Sequence, residues 1–137
     1  MHPKVEFEKH SNYVHATVTG TNSREAVIEY MDEVLDKCKS MDCFRVLIEE
    51  RLEGPRLETM DVFTLVSEGS VKALGRFEAI AFVDEKMGEM AEFAETVAVN
   101  RGMPFAAFDN IPDAKNWLSH QQPGPDEQYI FWDRDES

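Results

Sequence analysis

The residues of this chain that could do chemistry are mostly acidic. Glu49 and Glu50, Asp84, and Asp109 each follow a short apolar run, residues 46–48, 79–83 and 105–108. If those runs are strands of an open α/β sheet, the acids sit at carboxyl ends, where ligands gather. Three carboxylates on neighbouring strands would suit a divalent cation of the kind used in phosphoryl transfer. The same residue types end strands and cap helices with no ligand at all, and no lysine ends the last strand to complete such a receiver. No metal is expected.

The other reactive types form no constellation. His10 and His15 flank a turn, His2 and His120 lie in terminal segments, and none makes the i, i+4 pair of a zinc protease. Cys38 falls on an apolar helical stripe and reads as core rather than nucleophile. Cys43 lies five positions on, and two free thiols are expected. A glycine-rich phosphate loop and a Gly-x-Ser-x-Gly elbow are both missing. The chain therefore reads as a non-enzyme with no cofactor. Two apolar groups remain as candidate ligand-binding or interaction residues. Met60, Phe63, Met87, Met90 and Phe93 lie on or near two helices, and methionine-rich walls are adaptable. Tyr129, Phe131 and Trp132 stand among acids in the C-terminal tail, where such a cluster calls for a covering surface.

Composition bounds the partners. Fourteen basic against twenty-seven acidic residues give a net charge of −13, which repels phosphate backbones and anionic membranes. Neither nucleic-acid binding nor membrane insertion is expected, the first being disfavoured by that charge and the second by the absence of a spanning apolar run. With 42% apolar residues in 137, the chain is one domain able to bury a core. The N-terminal residues lack a signal-peptide apolar region, so a cytoplasmic location is expected.

The elements that must position these residues follow in order. Val5 and Phe7, then Val14, Ala16 and Val18, alternate across a short turn and predict an antiparallel hairpin ended by Gly20. Asn22 with Glu25 forms a capping-box pattern before a helix whose stripe is Val27, Met31, Val34, Leu35 and Cys38. Residues 45–49 read as the third strand and residues 50–57 as a polar loop closed by Gly54-Pro55. A second helix carries Met60, Val62, Phe63 and Val66, with Gly69-Ser70 expected to break or kink it before Leu74. Residues 78–83 form the fourth strand. Met90, Phe93, Ala94, Val97 and Ala98 stripe a third helix stopped at Gly102. Residues 105–108 are the fifth strand, and Asn110 caps a last helix with Trp117-Leu118 on its inner face.

Residues 76–84, RFEAIAFVD, and 100–109, NRGMPFAAFD, followed by Asp113-Ala114 and Trp117-Leu118, resemble the core of SpoIIAA-like proteins of the STAS superfamily. That group is similar to bacterial anti-sigma-factor antagonists and to lipid-transfer domains of the CRAL-TRIO type. The resemblance covers residues 4–119 in element order and is sharpest over 76–118. It implies an α/β fold with a mixed sheet of about five strands, an antiparallel N-terminal hairpin followed by parallel β-α units, and four helices. Residues 1–119 form this domain and 120–137 an acidic-aromatic tail. The antagonists' Asp-Ser-Ser-Gly-like phosphorylation motif is replaced by residues 49–59, where Thr59 is the one hydroxyl. Glu50, Glu53 and Glu58 would repel a phosphate there, offset in part by Arg51 and Arg56. No phosphorylation site is assigned.

The implied function is non-catalytic. The first reading is a regulatory interaction module that binds a protein partner or itself, as a homodimer, through sheet edge, second helix and tail. The alternative is a binder of a small apolar ligand or lipid in a pocket between helices. A filled core with an exposed apolar patch favours the first. A large cavity beneath the second and third helices favours the second.

Overall fold

The fold is taken from a computed structural model, which describes residues 2–73, 75–86 and 88–120. Val14, Ala16 and Val18 alternate with more exposed residues and are fully buried, so β2 (Val14–Thr21) presents one face to a core. It pairs antiparallel with β1 (Lys4–Lys9), and the hairpin expected from the alternation is formed. β3 (Arg45–Glu53), β4 (Ala79–Val83) and β5 (Phe105–Phe108) then add in parallel, giving a five-stranded sheet in chain order. The fold class expected from the sequence is the one observed: an antiparallel hairpin, parallel β-α units and four helices.

Because strand order follows chain order, crossovers of one hand place successive helices on one face. α1 (Arg24–Met41), α2 (Thr59–Ala73) and α3 (Glu89–Asn100) share that face; α4 (Ile111–Ser119) covers the other, against β3, β4 and β5. The larger core cluster joins Val14, Val18, Val34, Val46, Ile48 and Ile80 under the three helices. A smaller one joins Leu47, Ala81, Val83, Ala114 and Leu118 under α4. Arg45 ties the parts together from a buried position, donating from Nε to the Asn12 carbonyl at 3.1 Å and from Nη2 to the Leu118 carbonyl.

Several local expectations need correction. Residues 50–53 are strand rather than loop: β3 continues to Glu53, paired with β2 through Glu50↔Val18 to Glu53↔Thr21. Its polar residues are tolerated there because β4 has already ended, leaving this stretch one neighbouring strand. The cap of α1 is Ser23, whose hydroxyl accepts from the Ala26 N–H at 3.0 Å. Asn22, expected in that role, donates instead to the Pro55 carbonyl. α2 runs unbroken through Gly69-Ser70 to Ala73, held by packing on both flanking helices. The stop of α3 at Gly102, with φ 81°, and the Asn110 cap of α4 stand as expected. Leu74, Met87 and the tail from residue 121 lie outside the described residues. No helix among the described residues is long and apolar enough to cross a membrane.

Candidate functional site

Strand parity sorts the acids. Ile48 and Glu50 are two residues apart on β3, so both face the three helices, while Glu49 faces away. Ile80, Phe82 and Asp84 keep the same parity along and just beyond β4. Since Ile48 pairs with Phe82 in the parallel register, Glu50, within β3, and Asp84, just past the end of β4, fall side by side, about 5 Å being the strand spacing. The two carboxyls therefore meet at one end of the space between sheet and helices.

That space is a pocket. α2 rests chiefly against α3 and α1 rather than on the sheet, and beneath it lies a cavity of about 350 Å³. Its floor is Ile48, Ile80, Phe82 and Phe105 from the strands. Its walls are Met31 and Leu35 of α1, Leu65 and Val66 of α2, and Met90 and Ala94 of α3. Small-molecule pockets are typically about 300–1,000 Å³, mostly apolar with a few convergent polar groups.

Here the polar groups include Tyr30, Glu50, Arg56 and Asp84, and the lining also carries Asn22, Asp32, Glu68, the buried Ser70 and Lys72. The buried Tyr30 hydroxyl donates to Glu50 Oε2. Burial pushes the Glu50 carboxyl up to about 7; the Tyr30 hydrogen bond opposes this, the Asp84 charge adds to it, and the Arg56 charge opposes it. Burial, then the Glu50 charge, likewise holds the Tyr30 hydroxyl well above its ordinary value. Arg56 donates to the Lys86 carbonyl, and Asp84 Oδ1 accepts from the Lys86 N–H at 2.9 Å. The loops after β3 and β4 are thus fastened to each other at the pole. Asn22, by donating to Pro55, ties the start of α1 to the same loop.

The sequence candidates divide. Met90 lines the pocket. Met60 and Phe63 do not: Met60 is 69% exposed and Phe63 38%, the latter under the Arg101 guanidinium at 5.2 Å. α2 is apolar nearly all round, so its periodicity could not choose a face, and the inward residues are Val62, Leu65 and Val66. Phe93 is half-buried outside the pocket lining. Met87, Tyr129, Phe131 and Trp132 lie outside the described residues. Sequence reasoning missed Tyr30 altogether and, with a metal at the strand ends set aside, left Glu50 at the start of a loop with no role. Parity with the apolar Ile48 was the signal that could have placed it.

The remaining acids do other work. Burial pushes the Glu49 carboxyl up, but hydrogen bonds from His15, at 2.9 Å, and Arg51 outweigh it and hold it below its ordinary value. Glu8, His10 and His15 come together near the hairpin turn, their ligating atoms within 4.8 Å of one another. His15 is already engaged by Glu49, and His10 Nε2 lies 3.2 Å from Glu8. His10 also stacks on Tyr13, with centroids 4.6 Å apart. The group reads as a network closing the hairpin. Both cysteines are free; Cys38 is buried, and burial, then the neighbouring Cys43, pushes its thiol up to about 12.

No protein-family model matches the chain, and no curated protein matches it. Among solved structures the chain is similar to an uncharacterised protein of the DUF3478 family with a SpoIIAA-like fold, from Shewanella loihica PV-4. Identity is 24%, the TM-score is 0.49, and the match covers 85% of this chain and 93% of that one. The likeness is one of fold. The sheet and element order described above are those that the sequence resemblance to SpoIIAA-like proteins implies.

Proposed function

We propose that this domain binds a small, largely apolar molecule in the pocket beneath α2. The supporting observation is the cavity of about 350 Å³, bounded by apolar side chains and carrying one polar pole at the strand carboxyl ends. That combination is the ordinary form of a ligand site. A carboxyl with its acidity shifted by burial at the pole is a further mark of such sites. No Ser, Thr, Cys or Lys side chain hydrogen-bonds to Glu50 among the described residues, and its one partner, Tyr30, has a hydroxyl held well above its ordinary acidity range, so binding rather than turnover is the reading.

Native mass spectrometry of gently purified full-length protein, followed by organic extraction, tests it. An apolar adduct of a few hundred daltons, absent from the Ala94→Phe variant, is the expected result. Ala94 lines the pocket on α3, so a phenyl ring there fills it. An adduct carried equally by that variant would place the ligand elsewhere and refute the proposal.

The exposed apolar residues of α2, Met60, Phe63 and Val71, favour a second reading as a regulatory module that docks a protein partner or a second copy. Deleting residues 121–137 tests whether the tail contributes, by its effect on the oligomeric mass.

A further inference from the structure

The geometry points to an occupant whose polar end is a hydrogen-bond donor, an alcohol or an amine on an apolar body, rather than a carboxylate or phosphate. This rests on the pocket reading above and adds the chemistry of the head group.

The first support is a count of donors and acceptors at the pole. The one proton of the Tyr30 hydroxyl is given to Glu50 Oε2, so that oxygen has only lone pairs left to offer. Glu50 Oε1 has no hydrogen bond among the described residues. An ionised carboxylate can only accept, and Asp84 beside it has accepted at Oδ1 with further acceptor capacity in hand. Where Glu50 is ionised, above about pH 7, Tyr30, Glu50 and Asp84 thus face the pocket as acceptors. An incoming carboxylate would set another acceptor against these three, a mismatch that costs more the further the pole excludes water.

Charge points the same way. The ionisable groups on the pocket lining are Asp32, Glu50, Glu68 and Asp84 against Arg56 and Lys72. Lys72 is paired with Asp32 at 2.5 Å, and Arg56 is turned to the Lys86 carbonyl. Lys72 is thereby committed and Arg56 has given one of its five N–H donors, whereas Glu50 and Asp84 repel each other on adjacent strands. A donor between them relieves that repulsion; an anion increases it. Among the described lining residues Arg56 is the cation nearest the pole that could meet an anion, and it is exposed to solvent, where its pull is screened.

The test compares decanol, decylamine and decanoate, which share a tail and differ in the head. Binding to the full-length protein is measured by titration calorimetry at about pH 8, where Glu50 is ionised. Each probe is repeated on Glu50→Gln and on Ala94→Phe. The expected result is that decanol and decylamine bind about tenfold or more tighter than decanoate. Glu50→Gln should narrow that ratio, and Ala94→Phe should abolish binding of all three. Decanoate binding as tightly as the other two would overturn the head-group inference and leave the pocket reading intact. Failure of every probe to bind would overturn both. Decylamine binding that survives Ala94→Phe is surface attraction to an acidic chain, and would also overturn the inference.

Discussion

Replacing Glu50 by glutamine should stabilise this protein at alkaline pH and leave it nearly unchanged at acid pH. The Glu50 carboxyl is raised from an ordinary 4.5 to about 7, because ionisation in the pocket means losing water beside Asp84. A group raised on folding favours the native state while it is protonated. That contribution is complete below about pH 4.5 and is lost as the pH climbs through about 7. The gap between the two values corresponds to about 3 kcal/mol, an upper bound because the pole is partly open to solvent. Between about pH 5.5 and about pH 8.5 the change is about 2 kcal/mol. Glutamine keeps an oxygen for the Tyr30 hydroxyl and never ionises, so the variant escapes the loss. Urea denaturation of both proteins at the two pH values gives the comparison. The advantage of Glu50→Gln should grow by about 1–2 kcal/mol from the lower to the higher pH. A carboxyl-carbon NMR titration should independently show the Glu50 midpoint near 7. A flat difference between the two proteins, or a midpoint near the ordinary carboxylate value, would refute the desolvated pole.

Other sites give sharper structural tests. Arg45→Ala should destabilise the fold by about 2–4 kcal/mol in urea, since it leaves the Asn12 and Leu118 carbonyls without their donor and opens a void. Asp42 caps α1 in the left-handed region, with φ 51°. Asp42→Gly should therefore hold or raise the melting temperature, by an equivalent of up to about 1 kcal/mol, where most glycine substitutions lower it. Of the two free thiols, Cys43 should react with a disulfide reagent in the native protein while Cys38, fully buried, reacts only on unfolding; simultaneous labelling would refute the packing of α1.

What was legible in the sequence was local. The alternation of Val14, Ala16 and Val18, the glycine after α3 and the asparagine before α4 each act within a few residues of themselves. They survive into the fold unchanged. The extension of β3 was not legible, because residues 50–53 look like loop until β2 is seen to supply their hydrogen bonds. The inward face of α2 was hidden for a different reason. Met60, Val62, Phe63, Leu65, Val66 and Val71 surround the helix, and periodicity is silent when every face is apolar. Tyr30 was passed over because a half-polar side chain blurs a stripe, although it is the most useful residue on it.

The pocket itself could not be read from any one element, since it exists only because α2 bridges α1 and α3 above the sheet. A helix laid directly on β3 and β4 would bury Ile48, Ile80 and Phe82 against its own side chains and gain their packing. Instead the chain keeps a cavity there and sets a carboxyl at its end, where burial opposes ionisation. Both features lower stability, and neither is needed for the sheet to form. The loops around them are nevertheless fastened, Arg56 and Asp84 to Lys86 and Asn22 to Pro55. A pole held rigid at the expense of stability is the arrangement expected of a preformed binding site. An underpacked core would leave slack on every side. Here the space is confined beneath one helix and ends in groups whose hydrogen-bonding capacity is still unspent.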